Sequence, residues 1–230
     1  PTLTIITSGG SNDYAMTSSG VSWTYSYSPP SSYSGVVTFT VEMIDVAGNT
    51  GSTTISLSAD AIIPTILNIR SPMTNGGTYT DYDGNNSLSD TVSITVNFSE
   101  SVTVDTTNGN PRLLLNTTPA TYAYYVDGSG TATLTFKDLV NEEAEADPLN
   151  VSALELNGGT ILDASSNTAS LTLPIGTNLA DSKSIELDAK DPTISNHSLS
   201  DNNNLAPIPT TSVNDGDIAT FGFQSDKELL

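Results

Sequence analysis

The residues of this chain whose types and spacing suit chemistry are mostly oxygen donors. Asp45 and Asn49 stand in Ile44-Asp45-Val46-Ala47-Gly48-Asn49-Thr50, and Asp60 follows shortly after. Asp163 and Asn167 stand in Leu162-Asp163-Ala164-Ser165-Ser166-Asn167-Thr168, with Asp188 and Asp191 downstream. Carboxylates, amide carbonyls and backbone carbonyls are the ligands of hard cations, and calcium takes about six to eight of them. Asp45, Asn49 and Asp60 therefore form one candidate calcium set, and Asp163, Asn167, Asp188 and Asp191 a second. The same residue types close Asx-turns and cap hairpins without any metal, and both readings stay open on the sequence alone. The strings Asp81-Tyr82-Asp83-Gly84-Asn85-Asn86 and Asn214-Asp215-Gly216-Asp217 resemble fragments of calcium loops. Neither has the downstream bidentate glutamate of an EF-hand, so ordinary turn chemistry is the expectation there.

Other chemistry is poorly provided for. His197, in Ser195-Asn196-His197-Ser198, is the only histidine and cysteine is absent. Histidine-based triads, thiolate metal sites, a cysteine nucleophile and disulfides are excluded by inventory. A glycosidase needs two carboxyl groups held in a cleft with separated proton affinities, and nothing in the sequence marks such a pair. The expectation is a protein that is not an enzyme. Aromatic side chains offer one further surface: Trp23, Tyr25 and Tyr27 fall on one side of a strand, as do Tyr122 and Tyr124, a spacing suited to stacking on sugar rings. Core packing, with Trp23 as anchor, is the simpler account.

The elements that must position these residues are strands. Thr2-Leu3-Thr4-Ile5, Val37-Thr38-Phe39-Thr40-Val41, Val92-Ser93-Ile94-Thr95-Val96 and Ala132-Thr133-Leu134-Thr135-Phe136 alternate apolar with small polar residues, the signature of half-buried strands. Turn signals such as Ala47-Gly48-Asn49, Asn75-Gly76-Gly77, Asp127-Gly128 and Asn157-Gly158-Gly159 separate them, predicting short antiparallel strands in an all-β sandwich. The one helix-compatible stretch, Val140 to Asp147, is stopped by Pro148 and too acidic to bury a face, which predicts a loop.

Composition narrows the partners. The formal net charge is −20, from 26 acidic against 6 basic side chains, so the chain repels phosphate backbones and anionic lipid. Nucleic acid is excluded as a partner. The carboxylate excess costs self-repulsion that salt or divalent cations relieve. No apolar run is long enough to span a membrane, and the N-terminal residues lack the basic and apolar regions of a signal peptide, so no membrane insertion is expected of this segment.

Internal similarity sets the organisation. Ile44 to Thr50, the strand Thr53 to Ser58 and Asp60-Ala61-Ile62-Ile63-Pro64-Thr65-Ile66 have a counterpart later in the chain. That counterpart is Leu162 to Thr168, the strand Ser184 to Leu187 and Asp188-Ala189-Lys190-Asp191-Pro192-Thr193-Ile194. Two domains that end alike imply boundaries near residues 63 and 191. Residues 64–190 then form a complete, larger sandwich. Residues 1–63 read as the C-terminal part of a smaller sandwich and residues 191–230 as the N-terminal part of one of the same type. Each part is small for a β core, and the two together reach the usual sandwich size of about a hundred residues. The expected partners are neighbouring copies of the repeat, head to tail, or the continuation of one long polypeptide.

These strings resemble repeats of giant bacterial adhesins and cell-surface proteins of the bacterial immunoglobulin-like, cadherin-like kind. Gly128 to Phe136 followed by Leu154 to Ala164 resembles one recurrent long module. Trp23-Thr24-Tyr25-Ser26-Tyr27 followed by Gly35 to Phe39 and Asp45 to Asn49 resembles a second, shorter one. Where such repeats carry Asp-Ala-Ala-Gly-Asn, this chain has Asp163-Ala164-Ser165-Ser166-Asn167. The resemblance implies tandem immunoglobulin-like β-sandwiches in an extracellular fibre on a bacterial cell surface, with junctions stiffened by calcium. Its partners would include a surface receptor or glycan. A carbohydrate-binding module of a secreted multidomain protein is the alternative implied by the aromatic stripe.

Overall fold

The computed structural model describes residues 1–19, 21–80, 90–201 and 218–228. Leu3 and Ile5 alternate with Thr2 and Thr4 in β1 (Thr2–Thr7), which pairs antiparallel with β2 (Gly10–Ala15). Among the described residues, β3 (Thr17–Ser19) and β4 (Ser22–Thr24) pair only with each other. A long hairpin of β5 (Ser34–Ile44) and β6 (Thr50–Asp60) completes an N-terminal sheet of order β2-β1-β5-β6. Leu3, Ile5, Tyr33 and Val37 are its buried apolar residues, with Tyr14, Met16, Tyr27, Phe39, Val41 and Ala59 partly buried around them.

The central body follows. β7 (Ile66–Arg70), β8 (Gly77–Tyr79), β9 (Thr91–Asp105), β10 (Arg112–Leu115), β11 (Tyr122–Asp127) and β12 (Thr131–Leu139) come first. β13 (Glu145–Ala146), β14 (Val151–Glu155), β15 (Thr160–Leu162), the one-turn helix α1 (Leu179–Ser182) and β16 (Ile185–Asp188) complete it. The larger sheet has the order β14-β10-β11-β12-β9-β15, with β7 also pairing β9; the smaller is β13-β16-β8, in which β16 and β8 run parallel. Between them lies one cluster of 23 buried residues, centred on Ile94, Val96, Leu113, Leu134, Phe136, Leu149 and Ile185. The expectation of an all-β chain holds: several antiparallel sheets carry the fold, an arrangement consistent with a β-sandwich.

Two details differ from the expectation. Of the stretch Val140 to Asp147 expected as a loop, residues 140–144 are a loop but Glu145 and Ala146 form β13, and the helix lies elsewhere, where Asn178 caps α1 and the Asp181 carboxylate accepts from the Asn178 N–H at 2.9 Å, a capping box. Trp23 is not a core anchor: on the short strand β4 it is 42% exposed, and the central core buries Phe98 and Phe136. The predicted turn at Asn157-Gly158-Gly159 is backed by sterics: Gly158 has φ +91° and a Cβ there would stand 2.3 Å from the Asn108 carbonyl oxygen, so the two loops approach as only glycine permits.

β9 runs the length of the central body. Its Thr91 end adjoins the loop 140–144, where the Val140 N–H donates to the Asp90 carbonyl at 2.9 Å and the Ala189 N–H to Ala144 at 3.0 Å. Its Ser99 lies beside Thr65 in the first linker, with the Ser99 N–H donating to the Thr65 carbonyl at 2.8 Å. At about 3.3 Å per residue, the span from Thr91 to Ser99 holds the two linkers roughly 25 Å apart, at opposite ends. A two-stranded ribbon of β17 (Ile194–Asp201) and β18 (Ala219–Ser225) follows the second linker. Among the described residues, β17 and β18 pair only with each other.

Candidate functional site

The two Asp-Asn turns fold alike, atom for atom. In the first, Asp45 Oδ1 accepts from the N–H groups of Ala47 and Asn49 at 2.9 and 2.8 Å, and Asn49 Nδ2 donates to Asp45 Oδ2 at 2.8 Å. In the second, Asp163 Oδ1 accepts from Ser165 and Asn167, both at 2.8 Å, and Asn167 Nδ2 donates to Asp163 Oδ2 at 2.8 Å. The left-handed residue is Gly48 in one turn and Ser166, at φ 68°, in the other, so the turn survives loss of its glycine. These are Asx-turns. The hydrogen bond from the Asn49 side chain, followed by that from its N–H, lowers the Asp45 carboxyl below its ordinary range.

Their surroundings separate them. The Asp45–Asn49 turn caps the β5–β6 hairpin, whose register pairs Ile44 with Thr50 at that end and Ser34 with Asp60 at the other. The expected grouping of Asp45, Asn49 and Asp60 is therefore not made, because the whole of β6 lies between them. Asp163 and Asn167 instead meet Asp60. Asn167 Nδ2 also reaches the carbonyls of Asp60 at 3.0 Å and Ile62 at 3.3 Å, tying the second turn to the first linker.

Glu100, a residue the sequence did not single out, joins them. Asp60, Glu100 and Asp163 each place a carboxylate oxygen within 4.8 Å of the others, with Asp163 buried and the other two half-buried. Burial raises the Glu100 carboxyl above its ordinary range, and the charges of Asp163 and then Asp60 add to the rise. No ion pair among the described residues involves any of the three. The sequence signal was the pair Pro64-Thr65-Ile66 and Pro192-Thr193-Ile194, which marks a junction without naming the β9 residue beside it.

The second linker repeats the first with one charge inverted. Thr65 N–H donates to Ser99 Oγ at 3.0 Å, and Ser99 N–H returns to the Thr65 carbonyl. Thr193 N–H donates to Asp226 Oδ1 at 2.7 Å, and Asp226 N–H returns to the Thr193 carbonyl at 3.2 Å. The residue after Ser99 is Glu100, beside Asp60; the residue after Asp226 is Lys227, whose ammonium donates to Asp188 Oδ1 and the Lys190 carbonyl and lies 3.7 Å from Glu145. The hydrogen bond to Asp188 is the main cause raising the Lys227 ammonium above its ordinary range; burial opposes it and the nearby carboxylates add. Asp188 is thus an ion-pair partner, apart from Asp163 and Asn167, and Asp191 is exposed in the linker.

The expected strand of Trp23, Tyr25 and Tyr27 is not formed, since only Trp23 lies in β4, whereas Tyr122 and Tyr124 do share a side of β11 with ring centres 6.4 Å apart. Tyr25 stacks at a tilt on Tyr14 with ring centres 4.9 Å apart, Tyr27 meets Phe39 edge-on at 5.7 Å, and Arg112 lies 3.8 Å over the Tyr122 ring while pairing with Glu155. The acidic loops at 81–86 and 214–217 lie outside the described residues. Among those described, no helix is long and apolar enough to cross a membrane. Comparison with protein-family models, with curated proteins and with solved structures returns no match for this chain.

Proposed function

We propose that this chain is a structural and adhesive repeat of a large bacterial extracellular fibre, its immunoglobulin-like sandwiches strung in series across short linkers. The observation that carries the reading is the likeness of the two linkers, each leaving an Asp strand end, passing a Pro-Thr-Ile and locking its threonine to a residue in or just after the strand that pairs with the next unit's first strand. Linkers built alike at both ends of one body are what a tandem array requires. In this reading residues 1–63 and 191–230 belong to smaller sandwiches of one type and residues 64–190 form the larger one.

The first junction is the place for calcium. At the second, the Lys227 ammonium supplies positive charge between Asp188 and Glu145; at the first, Asp60, Glu100 and Asp163 gather negative charge and, among the described residues, none of them pairs with a cationic side chain. Calcium would be held by these three carboxylates, and it would offset their repulsion and stiffen the linker. The test is thermal unfolding of the whole chain in chelator and in excess calcium, for wild type and Glu100→Gln. The expected result is a calcium-dependent rise in Tm for wild type. Glu100→Gln should lose that rise yet be at least as stable as wild type in chelator, because repulsion is relieved. Equal wild-type Tm in both conditions removes calcium from the proposal.

A second reading, a carbohydrate-binding module, is favoured by the exposure of Trp23 and Tyr25. Glycan-array binding abolished by Trp23→Ala in a folded chain would select it, and absence of binding would set it aside.

A further inference from the structure

The N-terminal sheet has a polar face and an apolar face. On the polar face Thr38 bonds Ser56 at 2.8 Å and Thr40 bonds Thr54 at 3.0 Å across β5 and β6. On the other, the register sets Val37 opposite Leu57 and Phe39 opposite Ile55, with Met43 further along. Cover buries Leu3, Ile5 and Val37 and partly buries Phe39 and Val41, but Leu57 is 48% exposed, Met43 50% and Ile55 68%. The C-terminal ribbon is alike. Leu199 lies opposite Phe221, the Phe221 and Phe223 ring centres are 6.0 Å apart, and Ile194, Leu199, Phe221 and Phe223 are 44 to 66% exposed. In the central body the corresponding strands β7 and β9 carry Ile66, Ile94 and Val96 at 7% exposure or less. Among the described residues, nothing pairs with the ribbon and its apolar side chains stay exposed.

We infer that these two open faces cover each other between copies: the β17–β18 ribbon of one chain packs on the apolar face of β5–β6 of a second. The inference rests on the repeat reading above and names the partner as the same chain. The first argument is charge. In a chain of net charge −20, neither Thr50 to Ala59 of β6 nor any residue of β18 is charged, as the centre of an interface between like-charged copies requires. The second argument is area. The seven exposed side chains named offer on the order of 700 Å² of apolar surface, close to the apolar share of a standard interface of about 1,600 Å². The third is placement, because the linkers to the sheet and the ribbon leave the central body from opposite ends. Two different faces meeting head to tail make a heterologous contact that propagates into a line.

The experiment is sedimentation velocity of the whole chain over a wide concentration range, with Ile55→Asp and Phe221→Asp as exposed apolar-face variants. Thr54→Asp and Thr220→Asp place the same charge on the opposite faces. Wild type and the two controls should form concentration-dependent linear oligomers, and each apolar-face variant should lower the association constant at least about thirty-fold. Mixing Ile55→Asp with Phe221→Asp should yield dimers and nothing longer, since one intact face of each kind remains. A monomeric wild type, unchanged association of the variants, or no dimer in the mixture overturns the inference. The calcium shift, read on dilute monomeric wild type, is independent of it, so its survival alongside failed association overturns the docking alone.

Discussion

Asp138 is the residue whose environment most changes its chemistry. It is 4% exposed on β12, and its carboxylate accepts from Thr121 Oγ1 at 3.0 Å, while Thr121 also contacts Thr117. Burial pushes the carboxyl up to about 6, and the threonine hydrogen bond only partly opposes this. The folded state thus holds this proton at pH values where the unfolded chain has lost it. Stability on this account is greatest below about pH 4, falls as pH rises from about 4 to 6, and stays reduced above. The rise amounts to roughly 3 kcal/mol at 1.36 kcal/mol per pH unit. Asp138→Asn keeps an acceptor for Thr121, so it should flatten this part of the pH profile and stabilise the chain by about 2 kcal/mol at neutral pH, read by chemical denaturation. At the same scale the two equivalent asparagines should differ. Asn167→Ala removes bonds to Asp163, Asp60 and Ile62 and should cost about 1–2 kcal/mol, whereas Asn49→Ala, in an exposed turn, should cost about 0.5 kcal/mol. Asp45 and Asp163 were legible as turn residues because a local spacing defines them. Glu100 was not, since its place beside Asp60 and Asp163 depends on pairing between segments far apart in sequence.

Among the elements, those with period-two alternation were legible. Leu3 and Ile5, Val37 and Phe39, Ile94 and Val96, and Leu134 and Phe136 lie in strands with buried or half-buried apolar sides. The helix α1 escaped notice although Asn178 and Asp181 stand three apart, the spacing of a capping box, because a single turn leaves no apolar period. Trp23 misled, because strand β4 is three residues long and, among the described residues, pairs only with β3. The ribbon's attachment is an element-scale property resting on Lys227. With its proton affinity raised by Asp188, its contribution is fully present below about pH 10.5 and is lost as pH rises through the raised value. Lys227→Met should therefore lower amide protection at residues 189–191 and 193 at neutral pH, and at alkaline pH wild type and variant should show the same protection once intrinsic exchange rates are divided out. Exchange that is equal in the two proteins at neutral pH would assign the linker's order to Thr193 and Asp226 alone.

For the whole molecule, the repeated Asp-Asn turns and Pro-Thr-Ile strings announced two similar ends, and the structure gives those ends matching hydrogen bonds. The apolar burial is uneven: 23 residues form the central cluster and four the N-terminal one. Which apolar faces stay open was not legible, because it depends on the register of pairing between strands. The N-terminal sheet should accordingly be the less stable part. Hydrogen exchange at β6, an edge strand with exposed apolar side chains, should run ahead of exchange at β9 and β12 in the central body; equal protection would show that the two parts unfold as one unit.

The path of β9 from one linker to the other also determines how the chain carries load. Tension enters the central body at Ile66 along β7, which is bonded antiparallel to β9, and leaves at Asp188 along β16, which is bonded to β8 and β13. Each linker pulls its strand lengthwise past its neighbours. The ladder bonds would then be sheared together and would not peel one at a time, so in the proposed array the central body would resist extension along the line joining its ends.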